Sequence, residues 1–268
     1  MGNNVSSNKS TILSVERAVI LLREMSEKDT PIGVRELART VGYSPSTVQK
    51  LLSSLEVQGL VRQDEKTEGY ELGLGICRLG ASVLNKLDVH QTARPHLGKM
   101  MEEAKESSYL ALLTPDKKWY VFVDKVESTH LLRWTADLGA WRPLNCTAEG
   151  KATLAYLPDD HLDYLESEGA FRESTPNSIT DTKELRKELN EVREKGWAYS
   201  DEEFAEGVRA IAAPVFDYSE TVIGAISVVG PTLRLTDEKV HELTEIVKEE
   251  GRAVSLELGL REDEEFYG

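Results

Sequence analysis

The chain has 268 residues, 40% of them apolar, enough for two domains of ordinary size. Its apolar runs, such as Val222 to Val229, have strand length and fall short of the ~20 residues a membrane helix needs, so a soluble protein with no membrane partner is expected. The net charge of -15 is unusual for a nucleic-acid binder, but residues 1–85 carry ten basic and ten acidic side chains, so the whole excess lies in the remainder.

Cys77 and Cys146 form no C-x-x-C pair and have no histidine at zinc spacing, and His90, His96, His130, His161 and His241 are scattered, so reduced thiols and no metal site are expected. The first dozen residues lack a basic start followed by an apolar run, which argues against a secretory leader and for a cytoplasmic location.

Val15, Val19, Leu22 and Met25 recur at helical spacing, predicting an amphipathic helix over Ser14 to Ser26 with Ser14 as its N-cap. A Pro31-Ile32-Gly33 break leads to a short helix, Val34 to Thr40, with Leu37 and Ala38 inward. In the turn that follows, Gly42 suits the left-handed backbone that ends a helix, Ser44 can cap the next one, and Pro45 fits its first position. A third helix should run from Pro45 to about Gln58. Two helices joined by a four-residue turn containing glycine make a helix-turn-helix, whose second member enters the major groove.

The composition of that helix supports this reading. Val48, Leu51, Leu52 and Leu55 form a core stripe, leaving Ser46, Thr47, Gln49, Lys50 and Ser53 on the other side. Short hydrogen-bonding groups and a cation at a helix start can reach base edges and phosphates, although a solvated face would look similar. Between Gly33 and Gln63 the balance is also locally positive, with Arg35, Arg39, Lys50 and Arg62 against Glu36 and Glu56. After Gly59, two short strands around the polar turn Asp64 to Glu68 predict a wing that places Arg62 and Lys66 to approach phosphate or the minor groove. Asp64, Glu65 and Glu68 should keep those contacts weak. The expected DNA-contacting set is therefore Arg35, Ser44, Ser46, Thr47, Gln49, Lys50, Arg62 and Lys66.

Leu74, Cys77, Leu79, Val83, Leu84 and Leu87 predict a linker helix reaching Leu87. Beyond it, strand-like runs (Tyr109 to Leu113, Trp119 to Val123, His130 to Thr135, Val208 to Phe216, Val222 to Val229) alternate with helices. The helices are expected near Thr92 to Ser107, Ala148 to Leu157, Lys183 to Lys195 and Asp237 to Leu260. Strands joined by short turns argue an antiparallel sheet flanked by helices, an α+β domain. The hydrolase, zinc-protease, phosphate-loop and dinucleotide fingerprints are missing, and Gly73-Leu74-Gly75 has no third glycine in place, so neither an enzyme nor a cofactor is expected. An adaptor that uses the helix-turn-helix only for docking is a third possibility, and it would lack salt-dependent DNA binding.

Several blocks resemble the IclR family of transcription regulators. In the first part these are Ser14-Val15-Glu16-Arg17-Ala18, Arg35-Glu36-Leu37-Ala38, Ser46-Thr47-Val48-Gln49-Lys50-Leu51-Leu52, Leu55 to Val61, Gly69 to Gly73 and Leu79-Gly80. The more specific blocks come later: Ala93-Arg94-Pro95-His96-Leu97, Asp124 to Ser128, Leu144 to Ala152, Thr175 to Asp181, Gly207 to Val215 and Gly224 to Pro231. The resemblance implies an N-terminal all-α winged helix-turn-helix (1–73), a linker helix (74–90) and a C-terminal GAF-like α+β effector-binding domain with an antiparallel sheet (91–268). It further implies a homodimer, associating as a dimer of dimers, on a palindromic double-stranded operator.

The resemblance also implies an effector cup between the sheet and the loop before the Ala148 helix, lined by Ala148, Glu149, Gly150, Ser200, Ala210, Ser227 and Val229. Members that sense glyoxylate or pyruvate tend to carry an Asp, a Cys and a second Ser where this chain has Ser200, Ala210 and Val229. Methyl groups in place of polar atoms point to a less polar or differently shaped effector, an aromatic or larger sugar-derived acid. Trp134 and Trp141 either line the cup or fill core, and Cys146 is expected to pack.

Overall fold

The computed structural model describes residues 12–84 and 88–261, so the N-terminal segment read above for a leader and the last residues of the expected linker helix lie outside it. The chain divides into two compact units, Met1–Lys86 and Leu87–Gly268.

In the first unit, α1 (Leu13–Ser26), α2 (Val34–Val41) and α3 (Pro45–Val57) precede a hairpin of β1 (Val61–Gln63) and β2 (Tyr70–Leu72), and α4 (Leu74–Leu84) follows. The turn chemistry between α2 and α3 is as expected: Gly42 ends α2 at φ 72°, and the Ser44 hydroxyl accepts from the Thr47 amide. Leu37, Ala38, Val48, Leu52 and Leu55 join Leu21 and Met25 in one core, closed from the wing by Val61 and Tyr70. The register Val61↔Leu72 to Gln63↔Tyr70 makes the hairpin antiparallel.

Two expectations for α1 need correction. The helix starts one residue earlier, so Ser14 lies inside it, and Ile12 at the N-cap offers no side-chain bond. Its buried face is centred on Leu21 and Met25, one turn apart, which leaves Val15 58% and Val19 42% exposed on the flank.

The second unit is built on a six-stranded sheet of order β5-β4-β3-β8-β7-β6, with every pairing antiparallel. In chain order come α5 (Asp88–Ala104), β3 (Ser107–Leu113), β4 (Trp119–Val126), β5 (Trp141–Pro143), α6 (Ala148–Leu154), α7 (Asp159–Ser167) and α8 (Thr182–Lys195). The chain then adds β6 (Ala198–Asp201), β7 (Val208–Phe216), β8 (Val222–Pro231) and α9 (Asp237–Glu257). The first turn of α5 thus falls within the 74–90 span expected as linker, and Val89 is buried in the core of this unit.

Strand periodicity explains why both faces of the sheet are covered. Leu110, Ile211, Ala213, Ile226 and Val228 point to one side and pack on α5 and α9. Their neighbours Tyr109, Ala111, Ala210, Ala212 and Ala225 point to the other and pack on α6, α7 and α8. Small residues on the second face let α6 approach the strands closely.

The expected strand His130 to Thr135 is absent. Its carbonyls are taken by side chains instead: Ser107 and Tyr109 hydroxyls donate to the Trp134 carbonyl, and Arg234 donates to that of Leu132. With Leu131 fully exposed, no face alternates and no ladder forms. Short β5 and β6 and helix α7 were not anticipated. The Ala148 helix stops at Leu154, three residues early, and α5 ends at Ala104 so that Ser107 opens β3.

Candidate functional site

The first candidate surface is the outer face of α3. Ser46, Gln49, Lys50 and Ser53 are exposed and Thr47 is half-buried, while Val48, Leu52 and Leu55 anchor the helix from behind. Ser44 is committed to capping: its hydroxyl also contacts those of Ser46 (3.1 Å) and Thr47 (2.8 Å). Gln49 has a tether that its sequence position gave no hint of. Its Nε2 donates to the phenol oxygen of Tyr70 on the wing at 3.1 Å, which fixes the amide while leaving the carbonyl oxygen and one N–H to the outside.

Among the charged groups, Arg35 and Arg39 are exposed on α2, and Lys50 and Lys66 form no ion pair among the described residues. Arg62 differs, because Glu71 across the hairpin holds its guanidinium at 2.5 Å. Arg17, which was not singled out in the sequence, stacks over the Tyr43 ring at 5.0 Å and braces the turn that leads into α3.

The second candidate site is a cleft on the α6 side of the sheet, partly open to solvent. Of the expected lining residues, Ala148, Glu149, Ser200, Ala210 and Val229 border it. Three of these form a row across the sheet, since Ser200 pairs with Ala210 and Ala210 with Val229. Gly150 and Ser227 stand behind the surface. A side chain at Gly150 would place its Cβ 2.4 Å from the Leu144 carbonyl oxygen and 2.6 Å from the Thr147 hydroxyl, so glycine lets α6 seat against its own leading loop. Gly150→Ala should therefore cost about 1–3 kcal/mol by overpacking; a urea titration followed by tryptophan fluorescence checks this, and an unchanged midpoint would refute it.

Ser227 is fully buried and donates to Glu149 Oε1 at 2.6 Å, while the Tyr120 hydroxyl donates to Glu149 Oε2 at 3.1 Å. Burial pushes the Glu149 carboxyl up from its ordinary value, against the lowering effect of these hydrogen bonds. Burial also drives the Tyr120 phenol well up, reinforced by the Glu149 charge. The start of α6, expected to receive an effector carboxylate, is thus furnished internally. Thr147 caps the Gly150 amide at 3.1 Å, and the Glu149 carboxylate occupies the polar corner.

The remaining walls are Phe122, Trp134, Arg142, Phe204, Val208 and Arg209. Trp134 lines the cleft edge-on to Phe204, whereas Trp141 lies outside it and is 48% exposed. Cys146 is buried beside Ser174, as packing predicts.

The loop that carries Phe204 is pinned from beneath. Lys151, only 1% exposed, reaches Glu203 at 2.6 Å and Glu188 at 3.0 Å. The Ser178 hydroxyl donates to the Glu203 carbonyl at 2.7 Å and that of Thr175 to the Glu202 carbonyl at 2.6 Å. The block Thr175 to Asp181, noted above only as a resemblance, therefore fixes one rim of the cleft. Among the described residues, no group of three or more His, Cys, Asp or Glu side chains is arranged to hold a metal ion, and no helix is long and apolar enough to cross a membrane.

The helix-turn-helix with its wing and the covered α+β unit define a transcription regulator of two domains. The family model for the IclR helix-turn-helix domain matches residues 14–65, and that for the bacterial transcriptional regulator IclR C-terminal domain matches 81–256. The regulator KdgR of Escherichia coli is 32% identical over 249 residues, covering 93% of this chain and 94% of that protein. An IclR transcriptional regulator from Alicyclobacillus acidocaldarius superposes with a TM-score of 0.82 at 27% identity, covering 92% and 99% of the two chains. An IclR homologue from Microbacterium hydrocarbonoxydans, crystallised with 4-hydroxybenzoate, shares the fold at 20% identity (TM-score 0.79; 91% and 98% covered). The chain belongs to the IclR family of transcriptional regulators, with an N-terminal DNA-binding domain and a C-terminal effector-binding domain.

Proposed function

We propose that this regulator binds a palindromic operator as a homodimer, and as a dimer of dimers, with α3 of each copy in a major groove. Ser46, Thr47, Gln49 and Lys50 face the bases and nearby phosphates, Arg35 and Lys66 approach the backbone, Arg62 does so weakly because Glu71 shares it, and Ser44 orders the helix start. The observation that carries this reading is the anchored α3, whose outward face holds hydrogen-bonding side chains and an uncompensated cation. The exposed apolar residues Val15, Val19 and Ile20 on α1, with Ile12 at its N-cap, support pairing of copies.

The cleft takes a small organic acid from the cytoplasm, where Cys77 and Cys146 stay reduced. Linkage then sets the response: an effector that favours one arrangement of the domains changes operator affinity by its differential affinity, typically ~1–3 kcal/mol. Selecting genomic fragments with the full-length protein and footprinting the winners should reveal two half-sites about one helical turn, or a multiple of it, apart. Recovery of fragments with no shared sequence would contradict the proposal.

A further inference from the structure

A carboxylate already sits in the innermost polar corner of the cleft. Glu149 is 2% exposed, and its two oxygens accept from Ser227 and Tyr120, side chains fixed on the sheet. A carboxylate offers about four acceptor positions, so Glu149 retains acceptor capacity toward the cleft that it lines. It has no hydrogen to donate when ionised, and the cation that acts on it is Arg142, whose charge lowers its carboxyl against the effect of burial.

A cation lies on the same face nearby. Arg142 on β5 is the direct cross-strand partner of Tyr120 on β4, which puts both side chains on one side of the sheet. Its guanidinium stacks over Phe204 at 5.1 Å and donates to the Trp141 carbonyl at 3.2 Å, but it is paired with no carboxylate among the described residues. Arg209, the other cation of the lining, is engaged by Asp201 at 2.7 Å and Asp237 at 2.9 Å. The aromatic side chains of Phe122, Trp134 and Phe204 complete the walls.

We infer that the cleft takes a small ring acid in one orientation, with its carboxylate on Arg142 and a hydroxyl or amino hydrogen at the far end donated to Glu149. Glu149 is then the specificity-determining residue. It rewards a donor and rejects a second carboxylate, because like charges in a desolvated corner repel while a donor finds an acceptor. This assignment rests on the effector-binding reading above and adds polarity and class to it.

Calorimetry on the full chain with 4-hydroxybenzoate, 4-aminobenzoate, benzoate and terephthalate tests it. Either donor-bearing acid should bind at least tenfold more tightly than benzoate, and terephthalate should bind worst. Glu149→Gln, whose amide can donate, should erase the tenfold preference and admit terephthalate. Arg142→Met, at a half-buried site where folding is less at risk, should weaken all the monoacids by at least tenfold and leave their ranking intact. Equal binding of benzoate and the donor-bearing acids, tight binding of terephthalate to the unaltered protein, or no binding of any of the four would overturn the inference. The broader effector reading fails separately, if a metabolite extract changes neither melting nor operator affinity.

Discussion

Lys151→Met should lower the melting temperature of the C-terminal unit by roughly 6–20 °C, the equivalent of about 3–5 kcal/mol for removing one partner of a buried ion pair. The ammonium is 1% exposed and holds Glu203, itself buried, at 2.6 Å. All four tryptophans lie beyond residue 87, so their fluorescence follows this unit alone. The defect should depend on pH with a definite sign. Burial already raises the Glu203 carboxyl, and Lys151 is the foremost influence pulling it back down. Without the lysine the folded-state value rises further above the unfolded one, so the folded state binds more protons and stability falls as pH increases between the two. The loss should be small well below the unfolded value, where the carboxyl is protonated in both states, and full above the raised value. Glu203→Gln in the Lys151→Met background should restore most of it. A pH-independent loss, or none, would remove the pair from the support of the cleft rim.

Gln49→Ala and Lys50→Ala should separate the two components of DNA binding. A glutamine read bidentately by adenine contributes about 1–3 kcal/mol of discrimination, so its loss should relax base preference by roughly 5- to 150-fold while non-specific binding persists. Lys50→Ala should weaken binding on all sequences and reduce the salt slope by about 1. Tyr70→Phe provides a finer control, because it releases the Gln49 amide without removing it. Its effect on selectivity should match the loss of one hydrogen bond, about 0.5–1.5 kcal/mol. If all three variants bind as the unaltered protein does, another surface carries recognition.

The first unit was legible in the sequence wherever a local rule decides the backbone. Gly42, Ser44 and Pro45 set the turn and cap through contacts spanning four residues or fewer, and the stripe from Val48 to Leu55 has a single helical period. Val15 and Val19 obeyed the same period yet stay exposed, because periodicity gives the spacing of an apolar face without saying how much of it a small unit can cover. The long strands β7 and β8 were equally plain. The edge strands of the sheet, β5 and β6, are only three and four residues long, too short to show alternation. The segment His130 to Thr135 looked like a strand, but tertiary hydrogen bonds from Ser107, Tyr109 and Arg234 fix it as a loop.

The cleft was half visible for a related reason. Ser200, Ala210 and Val229 could be placed from the resemblance, whereas Tyr120, Phe122, Arg142 and Phe204 come together only through strand pairing and the pinned loop. The resemblance also left the occupation of the polar corner open. Swapping polar atoms for methyl groups along the Ser200–Ala210–Val229 row argued for a less polar site, yet Glu149 of α6, held by Tyr120 and Ser227, restores polarity beside it.

Fluorescence anisotropy of a selected operator duplex, titrated with the full-length protein over a series of salt concentrations, bears most directly on the claim that the outward side of α3 reads DNA. Tight binding to the operator, several powers of ten above scrambled duplex and falling linearly in log–log form as salt rises, is the outcome implied by the structure. Equal affinity for both duplexes at every salt concentration, with or without ring acids present, would contradict it.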